Sequence, residues 1–200
     1  MRLFVAALLL PVLAPAAGQE CTYWIEPCDR KVAPCRDGDA ELAEWSLQAW
    51  SRASGGGLHF RRVGEAGQAQ LRFLWARAMD GLYGEARPIW VNGRLGAELH
   101  IRPDLSQLGP EIAAAGSKDP LFRDAVVYLT CLHESGHALG LPHTAGFGDI
   151  MYSFQFGGDI LEYFMRYRRK LAGRDDIRRH PGLSSADEGR LRARQAALLQ

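Results

Sequence analysis

Residues 133–143 read His-Glu-Ser-Gly-His-Ala-Leu-Gly-Leu-Pro-His, a run that leaves the chain few ways to fold around it. Side chains four apart on an α-helix stack on one face, about 5.4 Å apart along the axis, so His133 and His137 can present two imidazoles to one metal ion. Glu134 sits one position on, rotated away from the ligand direction but near enough to address a water on that ion. A third ligand cannot come from the next helical turn if a tetrahedral ion is to keep an open corner, so the chain must reverse. Gly140 tolerates the positive φ that ends a helix and Pro142 stiffens the return, which brings His143 in from another side. Cys131 points about 200° around the helix from His133 and is excluded as a ligand. The short His-Glu-x-x-His pattern would arise by chance in about one such chain in a hundred, but adding Gly140 and His143 lowers that to order 10⁻⁵.

The rest of the composition fits one ordinary domain. The chain has 200 residues, 47% hydrophobic and 24% charged, which suits a compact fold rather than a disordered or fibrous one. A net charge of +1 gives no general pull toward nucleic acid. No phosphate-binding glycine loop precedes a helix, so nucleic-acid and nucleotide chemistry have no support. Arg2, the apolar run 3–13 and the small residues Ala14, Ala16, Ala17 and Gly18 have the layout of a secretory signal. The expected organisation is a signal at 1–18 and a single domain at 19–200, secreted or extracytoplasmic, with no transmembrane segment because no apolar run approaches the ~20 residues a span needs. Export permits disulfides among Cys21, Cys28, Cys35 and Cys131. The even count predicts two bridges, one of them joining Cys131 to an early cysteine, with three connectivities open.

Periodicity predicts short strands at 22–25, 58–63, 71–75 and 97–102. A helix is expected over 39–54 with Asp39 as its cap, and a second from Pro120 to Gly140 with Asp119 as cap. A further helix is expected over 159–173, with Ile160, Phe164, Tyr167 and Leu171 on one stripe. Ser185 and Glu188 suggest a capping box for a last helix over 186–199. This order predicts an α+β fold with one sheet.

The run His133 to His143 resembles the metzincin signature, and Met151, within Asp149-Ile150-Met151-Tyr152, matches the methionine those proteins carry in a turn beneath their zinc. Thr144 directly after the third histidine, and eight residues from His143 to Met151, look most like the matrixin branch. The resemblance implies a metzincin-like catalytic domain: one twisted mixed sheet, a long active-site helix, a methionine turn and a closing C-terminal helix. It implies a secreted zinc endopeptidase with one catalytic zinc on His133, His137 and His143. Glu134 would be the general base, Gly140 and Met151 structural supports, and calcium possible but not expected. A protein or peptide substrate would lie antiparallel to an edge strand containing 97–102.

The chain also departs from the matrixin pattern. The domain follows the signal directly, and Ala33-Pro34-Cys35-Arg36-Asp37 resembles the family's cysteine latch only faintly, so Cys35 is read as a disulfide partner. Only His100 resembles a ligand of the family's second zinc, and no second zinc is expected. His100 and His59 are read as polar-face residues and His180 as a loop residue. An insertion at about 154–182 replaces the usual Pro-x-Tyr wall of the pocket beside the cleaved bond, leaving substrate preference open. Arg166, Arg168, Arg169 and Lys170 make its helix basic, a solvated face that could instead touch an acidic partner. The competing function is a catalytically inactive metzincin-like binding module that keeps zinc for structure.

Overall fold

The computed structural model describes residues 18–77 and 83–198; the expected signal lies outside them except for Gly18. In chain order the main elements are β1 (Gln19–Ile25), α1 (Asp39–Ala53), β2 (Leu58–Arg62), β3 (Leu71–Trp75), β4 (Gly84–Val91) and β5 (Arg94–Ile101). They are followed by α2 (Pro110–Lys118), α3 (Pro120–Ala138), α4 (Ile160–Arg168), α5 (Asp176–Arg179) and α6 (Ser185–Leu198). The strands form one mixed sheet in the order β2-β1-β3-β5-β4, parallel except for the antiparallel β4–β5 pair. The fold is α+β, compatible with a metzincin-like domain.

The edge of the sheet differs from the expectation. The strand read at 97–102 is internal: β3 pairs with it on one side and all of β4 on the other. β4 has no clear strand pattern in the sequence, because Pro88 breaks its alternation; a residue without an N–H is tolerated at the edge of a sheet. The legible signal was Asn92-Gly93. Both residues have positive φ (50° and 75°), as a two-residue hairpin loop with primed-turn geometry requires.

β3 and β5 turn Leu71, Phe73, Trp75, Ala97, Leu99 and Ile101 into the core, the period-2 alternation of a half-buried sheet. α3 packs on β4 and β5, and α1 packs on α3. Trp50 fastens the two helices: it is fully buried, and its indole N–H donates to Leu132 O at 3.0 Å and Ser135 Oγ at 3.1 Å. The residues that flank His133 and Glu134 are thereby tied to α1.

Two caps sit one residue away from the expectation. The N-cap of α1 is Gly38 with φ 92°, and Asp39 is the first helical residue. Its buried carboxylate is instead committed to the Arg123 guanidinium. At α6 the box is Ser184 with Asp187: Asp187 N–H donates to Ser184 Oγ at 3.0 Å and Ser184 N–H to Asp187 Oδ2 at 2.9 Å. At α3 the reading holds, with Asp119 accepting from the N–H groups of Leu121 and Phe122 and Pro120 opening the helix.

The cysteines form one bridge, Cys28–Cys35, and the expected second through Cys131 is absent. Cys131 faces the core from the middle of α3 and Cys21 is buried in β1; burial pushes the Cys21 thiol up to about 11. Cys28 and Cys35 instead flank a short, largely exposed loop that lets them meet.

The expected helix at 159–173 is the shorter α4, capped by Asp159, with Tyr163, Phe164 and Tyr167 buried. Its basic face is not simply solvated. Arg168 donates to Asp119 Oδ2 at 2.7 Å, Arg169 pairs with Glu162, and Arg166 lies over the rings of Tyr163 and Phe147. Lys170 is exposed. Among the described residues no helix is long and apolar enough to cross a membrane.

Candidate metal centre

The end of α3 makes the reversal that the sequence demands. Gly140 N–H donates to His137 O at 2.8 Å and Leu141 N–H reaches back to Gly136 O at 3.0 Å, with Gly140 at φ 83°. This left-handed termination satisfies the last helical carbonyls and is open to glycine without a steric penalty. His143 is turned back toward the two imidazoles of the helix.

The three Nε2 atoms converge. His133 and His143 are 3.3 Å apart, and His137 is 3.1 Å from each. His133 Nδ1 lies 2.7 Å from Ile150 O and His137 Nδ1 3.0 Å from Leu141 O. A carbonyl only accepts, so each Nδ1 carries the proton and each inward Nε2 presents a lone pair. Acceptors facing one another at these distances repel unless a cation lies among them. The spacings match three corners of a tetrahedron around an ion about 2 Å from each nitrogen. Among the described residues this triad is the one group of three or more His, Cys, Asp or Glu side chains placed to share a metal ion. Burial and the neighbouring imidazoles push His133 down to about 4 against the opposing pull of the Ile150 carbonyl, and burial lowers His137 as well. Both effects favour the neutral rings a metal needs.

Glu134 is 6% exposed and forms no ion pair with the described residues. Burial, reinforced by the negative charge of Glu85, pushes it up to about 7. With His133 and His143 it lines a cavity of about 240 Å³ whose walls include Leu129, Tyr152, Ile160, Tyr163 and Phe164. Opposite the carboxylate is Gly84, at the start of β4. A Cβ there would lie 2.5 Å from Glu134 Oε1 and 2.8 Å from Thr130 Cγ2, so the space Glu134 occupies depends on a missing side chain.

Beneath the helix, Met151 is fully buried and its Sδ touches Gly136, leaving no room for a Cβ at that position. The segment after His143 is fastened to this turn. Thr144 N–H donates to Met151 O at 2.8 Å, Ser153 N–H to Thr144 O at 3.1 Å, and Thr144 Oγ1 to Asp149 Oδ2 at 2.9 Å. α6 closes the structure from the other side. Asp187 Oδ2 accepts from Ile150 N–H at 2.8 Å, and Asp149 receives Ser184 Oγ at 2.7 Å and Arg190 at 2.6 Å. Burial raises the Asp149 pKa, but the bonds from Ser184, Arg190 and Thr144 outweigh it and hold the carboxyl below its ordinary value.

His133, Glu134, His137, Gly140, His143 and Met151 are thus assembled in one place. Cys131 is buried away from the triad, and Cys35 is occupied by its bridge to Cys28. His100 lies in β5, 3.6 Å from Glu98, His59 is exposed in β2, and His180 follows α5. Sequence reasoning missed Gly84, Asp187 and Arg190 as parts of the site. Of these only Asp187 carried a local signal, three residues after Ser184.

No protein-family model matches the chain. It is 30% identical to the interstitial collagenase of Equus caballus over 148 residues, covering 70% of this chain and 28% of the collagenase. Over 126 residues it is 29% identical to the interstitial collagenase of Oryctolagus cuniculus, covering 58% of this chain and 24% of that protein. Over 129 residues it is 30% identical to that of Bos taurus, covering 60% and 24%. The aligned part of the chain thus spans 24% to 28% of the length of these relatives. The likeness supports a matrixin-like relationship.

Proposed function

We propose that residues 19–200 form a secreted, metzincin-like zinc endopeptidase domain, exported by the signal at 1–18 and carrying an insertion at about 154–182. His133, His137 and His143 hold the zinc, Glu134 is the general base, and Gly140 and the Met151 turn support them. One juxtaposition carries the reading: three inward Nε2 atoms within 3.3 Å of one another, beside a buried carboxylate that has no ion-pair partner among the described residues, at a largely apolar cavity. The similarity to interstitial collagenases supports the same reaction class.

Zinc at this site supplies a Lewis acid for water and a peptide carbonyl. Glu134 Oε takes a proton from the attacking water and delivers it to the leaving amine nitrogen. Burial suits it to both tasks, because a carboxyl raised toward neutrality accepts and releases a proton near neutral pH. Among the described residues the outer edge of β4 is unpaired and offers main-chain groups for an extended peptide, and the cavity beside Glu134 accepts an apolar side chain.

The full chain should bind about one zinc, as a single three-histidine site requires. It should cleave casein or a quenched peptide, lose cleavage in a chelator and recover it on zinc addition. Zinc binding without any cleavage would favour the binding-module reading instead. Gly84→Ala tests the placement of Glu134. It touches no ligand, so zinc content should stay unchanged, while kcat/KM falls about 10²-fold, the scale of a 1 Å misplacement. Activity within twofold of the parent would remove Gly84 from the site.

A further inference from the structure

α4 lies in the segment read above as an insertion, and one of its side chains reaches the metal centre from behind. The Tyr163 ring is held on several sides: stacked on Tyr152 with centroids 6.0 Å apart, edge-on to Phe147, Phe154 and Phe164, and covered by the Arg166 guanidinium at 4.4 Å. So confined, its hydroxyl lies 3.0 Å from Asp149 O and 3.3 Å from Ile150 O. The Ile150 carbonyl is also the acceptor for His133 Nδ1–H, at 2.7 Å.

We infer that Tyr163 is a positioning residue for the metal centre, anchoring the carbonyl that orients His133. This inference rests on the zinc-site reading above. An imidazole directs Nε2 at a metal only as firmly as the group bonded to Nδ1 is itself held. The backbone of Ile150 is gripped on both sides, its N–H by Asp187 Oδ2, on α6, and its C=O by Tyr163, on α4. One phenolic O–H shared between the Asp149 and Ile150 carbonyls ties both to a ring that cannot rotate freely. The inserted helix therefore does more than wall the cavity, because it fixes the turn on which the first ligand depends. No spacing rule connects residue 163 to residue 133, so this role was invisible until the two met at one carbonyl.

Tyr163→Phe keeps the ring, the cavity wall and the aromatic contacts, and removes only the hydroxyl. Tyr167→Phe is the matched control. It lies on the same helix, is equally buried, and its hydroxyl donates to a backbone carbonyl, His180 O at 2.6 Å, that contacts no histidine of the triad. Zinc affinity is measured by competition with a chromophoric chelator, and coordination by the visible spectrum of the cobalt-loaded protein. Tyr163→Phe should raise the zinc dissociation constant about tenfold, the lower end for losing an outer hydrogen-bond partner, and shift the cobalt bands. Tyr167→Phe should move neither, even where it lowers thermal stability as much. Parental affinity and spectrum in Tyr163→Phe, or equal shifts in both variants, would overturn the positioning role while leaving the zinc site intact. Failure of the unmodified chain to bind zinc would instead overturn the site reading and this inference with it.

Discussion

Glu134→Gln should leave about one zinc per chain, because the amide neither removes a ligand nor adds a charge, while lowering kcat/KM for a peptide by about 10²- to 10⁴-fold. The amide fills the same space against Gly84 but cannot carry the proton from water to the leaving nitrogen. Metal analysis and a quenched-peptide assay on the same preparation separate the two effects. Comparable cleavage by both proteins would show that another group moves the proton; loss of zinc would show that Glu134 holds the site together instead.

The second large effect concerns stability. Asp39 and Arg123 join the start of α1 to the first turn of α3 while 1% and 3% exposed, with Arg123 Nη2 2.7 Å from Asp39 Oδ2. Asp39→Ala leaves a buried guanidinium without its main counter-charge, a change that costs about 3–5 kcal/mol. Replacing both partners, as Asp39→Leu with Arg123→Met, removes the charge along with the acceptor and should recover most of that loss. Denaturant titration of the single and double variants decides the matter. A double variant as unstable as Asp39→Ala would mean that packing at these positions, rather than an orphaned charge, dominates. Because α3 carries His133 and His137, the single variant should also weaken zinc binding, through folding rather than through contact with the metal.

The parts of the site legible in the sequence are those joined by short-range geometry. His133, Glu134 and His137 follow from helical spacing, Gly140 from the φ a helix end requires, and His143 from the reversal that results. The cap at Asp119 is local in the same sense. What was misread depends on partners far along the chain. Asp39 has the residue type of a cap, yet Arg123, 84 residues on, claims its carboxylate. Four cysteines permit several pairings, and only the fold puts Cys131 where no early cysteine meets it. β4 was hidden by Pro88, and with it the true sheet edge and Gly84, whose importance lies in the side chain it lacks. Periodicity marked α4 as amphipathic. It could not say that the buried face would bring Tyr163 to the carbonyl beneath His133.

X-ray absorption at the zinc edge of the zinc-loaded full chain, beside its zinc-to-protein ratio, probes the metal centre itself. One zinc per chain with a shell of imidazole nitrogens and one oxygen at about 2.0–2.1 Å is the predicted result. Sulfur scattering near 2.3 Å would bring a cysteine into the site and contradict it. So would zinc that stays bound at full stoichiometry when His133, His137 and His143 are all replaced by alanine.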